Sequence, residues 1–288
     1  MTWRIVLITS ASKLDLKLNH LVIRGEELRR IHLSEIATLV LENTAISMTA
    51  ALLCEMSKRN IKVIFCDERR NPYGELIPYY GSHDATDKLR IQCAWDEDTA
   101  GVVWAEIVRE KIKNQADLLK DIGNTTASEH LMLFAGNVCS HDVTNREGHA
   151  AKVYFNALFG KDFSRDAENA VNSCLNYGYS ILLSAFNREI TAAGHYTQLG
   201  IFHKNSSNPF NLGSDLMEPF RPIVDKCVVE MKPDDMTPAE KRVLADILNK
   251  EVTIDGKRNY LLNAMRVYCR SVIDAMNERD ATLLRFTK

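Results

Sequence analysis

A change of hydrophobic period divides this chain of 288 residues. Through residue 67 apolar residues alternate with polar ones or run in short β-branched blocks. From about residue 85 they recur every three or four positions, the helical spacing, to the end. Residues 3–8 (WRIVLI) read as a strand. Leu14, Leu16 and Leu18 alternate with Asp15, Lys17 and Asn19, a half-buried strand that turns at Asn19-His20 into residues 21–24. Strands are expected at 29–33 and 36–41, a helix at 46–59, and a buried strand in IKVIFCD. Asn71, Pro72, Gly74, Pro78 and Gly81 then interrupt all periodicity. That loop sets the expected domain boundary, giving a β-rich domain over 1–82 and a helical one over 83–288. Helices are expected at 87–121 with a break near Gly101, then at 127–136, 146–159, 166–193, 220–231, 237–249 and 256–278. Thr237, Pro238 and Glu240 form an N-cap, first-turn proline and capping-box glutamate. The fold class is α+β, a small N-terminal β-rich domain followed by a larger all-α C-terminal domain.

Composition narrows the function classes. No apolar run reaches the roughly 20 residues of a membrane span, and the start, MTWRIVLITSASKLDLK, lacks a basic leader with an apolar block. The seven cysteines are scattered with no CxxC pair, so neither zinc nor a disulfide framework is supported. A reduced, cytoplasmic protein is expected. The net charge of −2 does not by itself suggest nucleic acid. Its acidity is concentrated in residues 81–140, which are expected to face away from phosphate. Phosphate-loop, dinucleotide and Ser/His/Asp signatures are absent.

Two motifs carry the chemistry, NREGHAAKVYF at 145–155 and LGIFHKNSSNPFNLGSDLMEPFRP at 199–222. They offer Glu147, His203, Asp215 and Glu218, an oxygen-and-nitrogen set suited to a divalent cation. Glu147 shares a helical stripe with Ala151, Tyr154 and Leu158, and a carboxylate on a buried stripe needs a compensating charge or metal. Singly, each residue also has an ordinary reading. Glu147 suits a salt bridge or the positive end of a helix, His203 suits the surface or a hydrogen-bonded loop, and Asp215 suits a helix cap. His141, His149 and His195 are read as structural, and Tyr154, Tyr177 and Tyr179 as core.

NREGHAAKVYFNALFG, GYSILLSAFNREI and HKNSSNPFNLGSDLMEPFRPIVDK resemble the CRISPR-associated integrase family, the first Cas protein, in its type II branch. The resemblance spans essentially the whole chain. It implies that Glu147, His203 and Glu218 are the metal-binding catalytic trio, with Glu218 where many members carry aspartate. Asp215 falls where some members have a further acidic residue, and three roles stay open for it: ligand, orienter or cap. Carboxylates favour Mg²⁺ or Mn²⁺, and the imidazole leans towards Mn²⁺. The implied activity joins the 3′-hydroxyl ends of short captured DNA to the CRISPR repeat by transesterification. The implied assembly is a homodimer, two of which are bridged by the small second Cas protein. A general metal-dependent nuclease on branched DNA and a non-catalytic DNA scaffold are the alternatives. Arg146, Lys204 and Arg221, nearest the motifs, are the candidate phosphate contacts. His20, at the expected hairpin tip, is the candidate wedge at a DNA end.

Overall fold

The computed structural model describes residues 4–68, 70–79 and 84–288. The chain divides into two compact units, Met1–Ser82 and His83–Lys288. Trp3 and Gly81, and the residues on either side of the division, lie outside the described ones.

In the first unit, β1 (Arg4–Ile8), β2 (Lys13–Lys17), β3 (His20–Arg24), β4 (Leu28–His32) and β5 (Ile36–Leu41) precede a short β6 (Ser47–Met48). Helix α1 (Ala50–Lys58), β7 (Lys62–Cys66) and β8 (Pro72–Glu75) complete it. One sheet runs β1-β5-β7-β8, parallel except at β8, and the other runs β4-β3-β2-β6. Every residue of β5 is buried, as a central strand of a covered parallel sheet requires. Leu14, Leu21, Leu39, Leu52, Met56 and Val63 fill the core.

Three expectations in this unit are corrected. The hairpin turns at Leu18-Asn19, both with positive φ, and His20 is the first residue of β3. Leu14 pairs with Ile23 and Leu16 with Leu21. That register keeps the apolar side chains on one face and leaves 18–19 as the two-residue loop. The helix expected from 46 starts at Ala50, because Ser47 and Met48 pair with β2. The structureless loop after residue 70 contains β8, an edge strand that opens on proline, where no ladder N–H is needed. A buried ion pair, Lys62 Nζ to Glu75 Oε2 at 2.5 Å, ties β8 to β7.

The second unit contains α2 (Ala85–Cys93), α3 (Glu97–Asp121), α4 (Thr125–Gly136), α5 (Arg146–Phe159), α6 (Ala170–Ala192), α7 (Asn211–Met217), α8 (Arg221–Met231) and α9 (Pro238–Ala245). A hairpin of β9 (Glu251–Ile254) and β10 (Lys257–Tyr260) then leads into α10 (Leu261–Glu278). Helix α6 is buried on several faces, with Cys174, Leu175, Tyr177, Leu182, Phe186 and Ile190 enclosed, as expected of a helix at the centre of a bundle. The capping box at Thr237 forms as its sequence implies.

The break expected near Gly101 lies earlier, at residues 94–96, where the Asp96 carboxylate caps α3 by accepting from Thr99 N at 2.9 Å. Gly101 lies inside α3 because His141 and Ser140 pack where its Cβ would be. The unit is also not wholly helical. Asp255-Gly256, both with positive φ, turn the β9–β10 hairpin, and the helix expected from 256 starts at Leu261. An Asp-Gly pair is a strong two-residue hairpin signal, and the helical reading ran over it.

The Lys62–Glu75 pair generates a stability test. Lys62→Met leaves a buried carboxylate without its cation and should cost about 3–5 kcal/mol. The double variant Lys62→Met/Glu75→Leu should recover most of that loss. Urea unfolding of the four proteins in the cycle measures both, and additive losses would show that the pair is uncoupled.

Candidate active site

Helix α5 begins at Asn145, whose side chain accepts from Gly148 N, and the carboxylate of buried Asp142 accepts from the backbone N–H groups of Arg146 and Glu147 at 2.8 and 2.9 Å. These caps hold Glu147 in the first turn, where the helix dipole favours a carboxylate. Glu218 lies at the other side of the site, in a turn of 3₁₀ helix (Glu218–Phe220) that runs directly into α8. Its side chain is 3% exposed, and Asn114 of α3 holds the neighbouring Pro219 carbonyl at 2.8 Å.

The two carboxylates meet at one ammonium. Lys111 of α3 donates from Nζ to Glu147 Oε1 at 2.6 Å and to Glu218 Oε2. Arg221, one turn beyond Glu218, donates to its other oxygen, Oε1, at 2.8 Å. Burial alone would lower the Lys111 pKa, but Glu218 and then Glu147 outweigh it and hold it above the ordinary lysine value. Burial likewise pushes the Glu218 carboxyl up, and Arg221 and Lys111 together push it below the ordinary carboxylate value. The cluster therefore carries two negative and two positive charges and is locally neutral.

His203 is held differently. The carboxylate of Asp215, fully buried inside α7, accepts from the backbone N–H groups of Ile201 (2.6 Å), Phe202 (3.0 Å) and His203 (3.1 Å). Its Oδ1 also faces His203 Nδ1 at 2.5 Å. That hydrogen bond, opposed by burial and reinforced by the charges of Asp215, Glu218 and Glu147, raises the His203 pKa. Asp215 lies in the body of α7 and caps nothing. Phe202 stacks flat on Trp104 of α3, with ring centroids 4.4 Å apart, and His203 meets the same indole edge-on. Gly200 lets the loop fold this tightly, since a Cβ there would run into the His203 carbonyl oxygen and the Asp215 carboxylate.

The remaining candidates separate by their partners. Arg146 and Arg221 each bury an Nε–H that has no hydrogen-bond partner. Arg221 also lies over the Tyr179 ring, 4.8 Å from its centroid. Lys204 pairs with Glu97 at 2.5 Å. His20 belongs to the first unit, where its Nδ1 is 2.7 Å from the Leu18 carbonyl oxygen and its ring meets His32 edge-on. His141 faces Glu97, His149 lies near Phe134, and buried His195 stacks with Trp95. Tyr154 and Tyr179 are core residues whose hydroxyls donate to buried Asp225 at 2.8 and 2.5 Å. An open cavity of about 640 Å³ adjoins His203, lined among others by Trp95, Glu97, Lys204 and Asn208.

Lys111 escaped the sequence analysis although its signal was present. It shares the stripe Trp104, Val108, Lys111, Gln115, all buried, so the rule that singled out Glu147 applies equally to it. Among the described residues, no group of three or more His, Cys, Asp or Glu side chains is arranged to hold an ion. The ammonium takes the space between the carboxylates.

With this geometry in hand, comparison with known proteins is decisive. A family model described as "CRISPR associated protein Cas1" matches residues 5–250. The chain belongs to the Cas1 family. A CRISPR-associated endonuclease Cas1 of Neisseria meningitidis serogroup C (strain 8013) is 35% identical over 291 residues, covering 99% of this chain and 96% of that protein. Among solved structures, a casposase bound to integration product superposes with a TM-score of 0.79 at 19% identity, over 97% of this chain and 93% of the other. A Cas6-RT-Cas1–Cas2 complex matches with a TM-score of 0.74 at 18% identity, over 98% of this chain and 36% of the larger one. At these identities the two structures bear on the Cas1 fold alone. All seven cysteines of this Cas1 family member are free thiols. Among the described residues no helix is long and apolar enough to cross a membrane.

Two predictions follow the geometry. Gly200→Ala should detach the His203 loop from Asp215, seen as loss of the downfield imidazole N–H signal in NMR with the bulk of the helical signal kept. An unchanged imidazole signal would mean that the loop absorbs the extra methyl group. The second concerns Asp225, which burial raises from 3.8 to about 6. Between those values the folded state binds the proton and the unfolded chain releases it. Stability should therefore fall by roughly 3 kcal/mol as pH rises from about 4 to about 6 and level off above. Asp225→Asn should flatten that part of the stability profile, and identical profiles would place the titration elsewhere.

Proposed function

We propose that this chain is a metal-dependent DNA endonuclease and integrase of CRISPR adaptation, joining 3′-hydroxyl ends of short captured DNA to the CRISPR repeat. The observation that carries this reading is the convergence of Glu147 and Glu218 on a single cationic centre. Two carboxylates aimed at one point, Glu218 buried and Glu147 partly buried, fit a hard divalent ion, and His203 Nε2 is the ring nitrogen left when Asp215 engages Nδ1. Mg²⁺ or Mn²⁺ would be held by Glu147, His203 and Glu218. Asp215 serves as the orienter of His203, because its oxygens are committed to three backbone donors and the imidazole. The ion, when bound, would polarise the scissile phosphate and stabilise charge on the entering and leaving oxygens.

The residues of the chain do the positioning. Arg146, next to Glu147 in the chain, and Arg221, paired with Glu218, suit contacts to phosphate oxygens. Lys204, exposed beside the cavity, suits a phosphate further along the strand. In the joining step a DNA 3′-oxygen forms a new bond to phosphorus as the repeat's own 3′-oxygen leaves. One phosphodiester replaces another, so no nucleoside triphosphate is needed. A casposase solved with its integration product has this fold, and joining is the reading we adopt over simple hydrolysis. Membership in a family whose curated members are called endonucleases supports nuclease chemistry at the same ligands.

The partners are the DNA substrates and Cas2, in line with the Cas1–Cas2 complex among the structural neighbours. We assign dimerisation and DNA-end contact to the β-rich unit and catalysis to the helical one, with two homodimers in the working complex. The wedge role belongs to the β2–β3 hairpin. His20 stands one residue behind the tip, and Leu18 is the exposed apolar side chain of the tip itself.

Glu147→Gln, His203→Ala and Glu218→Gln should each abolish joining of a 3′-hydroxyl duplex to a repeat-bearing plasmid in Mn²⁺. Asp215→Asn should lower joining about 10–100-fold. Undiminished joining by any of the first three removes that residue from the trio. Nicking without joining, in the presence of Cas2, would favour the general nuclease.

A further inference from the structure

The cation between Glu147 and Glu218 is a side chain of the protein, and that has consequences for the metal site proposed above, on which this inference rests. Lys111 and Arg221 neutralise the two carboxylates. A divalent ion at the same oxygens would leave a buried cluster with two excess positive charges, which a low-polarity site does not tolerate. One resident cation has to give way. Arg221 is fixed by its stacking over Tyr179 and by its bond to Glu218 Oε1. Lys111 is a single point charge on an unbranched, rotatable stem, and both of its contacts are to the groups that would bind the ion.

We propose that Lys111 is a built-in counter-ion of the metal site, holding Glu147 and Glu218 together in the metal-free protein and retracting when the divalent ion enters. It is a positioning residue. Without it, two carboxylates would face each other in a poorly solvated space and push the start of α5 away from the 218–221 turn. With it, the site stays assembled, but the entering ion must displace an ammonium, so Lys111 weakens ion binding.

The test uses the full chain and Mn²⁺ alone, without DNA. Lys111→Met keeps the stem and removes the charge. It should unfold at lower temperature than wild type when no ion is present and be raised further by Mn²⁺. By calorimetric titration it should bind Mn²⁺ about tenfold more tightly, one step of roughly 1.4 kcal/mol. Lys111→Arg, which keeps the charge, should bind no more tightly than wild type. Equal or weaker Mn²⁺ binding by Lys111→Met overturns the proposal. Glu147→Gln separates the two readings: if it binds Mn²⁺ as wild type does, the metal assignment itself fails and Lys111 is a plain structural bridge. Should Lys111→Met not fold, the side-chain ¹⁵Nζ resonance of Lys111 in lysine-labelled wild type decides. It should move when Mg²⁺ is added, and a resonance that stays in place while the ion binds overturns the proposal.

Discussion

Charge neutrality at the point where α3, α5 and the 218–221 turn converge is the constraint that organises the helical unit. Glu147 and Glu218 come from segments about seventy residues apart, and each would be costly to enclose without a partner. Lys111 answers both at once from the long helix between them, and Arg221 takes the remaining oxygen of Glu218. Removing a single member leaves an uncompensated charge, so the four side chains tie the three elements together.

Around that centre the polar groups are arranged in successive layers. Asp215 gathers the backbone of the His203 loop, and the flat stack of Phe202 on Trp104 fixes that loop to α3. Arg221 leads through Tyr179 to Asp225, which also accepts from Tyr154 of α5. The same helix thus contributes Glu147 to the site and Tyr154 to the network behind it. Some buried polar atoms close to it have no hydrogen-bond partner, the Trp104 indole N–H and the Nε–H groups of Arg146 and Arg221 among them.

Much of this was legible in the amino-acid order. Helix α5 runs over the residues expected of it, 146–159, and the capping box at Thr237 forms as written. Strand β7 forms in IKVIFCD, where a buried strand is expected, and is buried except at Phe65. Glu147 was conspicuous as a carboxylate on an apolar stripe. Lys111 was equally conspicuous by the same rule and was passed over because a lysine in a long helix is usually solvated. The β9–β10 hairpin was missed although Asp255-Gly256 announced its turn, because strands as short as four residues carry little alternation. Strand β8 was hidden by its opening proline, and only the ion pair from Lys62 and the free edge of β7 give it a place.

The sequence by itself determined the β-rich start, the helical remainder and the main helices, since period and capping are local properties of a few consecutive residues. It also determined that the segment around Glu147 had to meet a positive charge. Tertiary structure alone decided which charge that is. The partner of Glu147 lies 36 residues earlier in the chain and also serves Glu218, 107 residues beyond it. Neither separation leaves a mark in local periodicity. They arise only because α3 packs against α5 and the 218–221 turn together. Likewise, no feature of the 199–222 segment says that Asp215 would spend both oxygens on the loop before it. That follows from the turn at Gly200, which brings three consecutive N–H groups to face one buried carboxylate. A buried charge is a demand that a sequence can state, and the fold determines how it is met, because electrostatic compensation depends on distance in space and not along the chain.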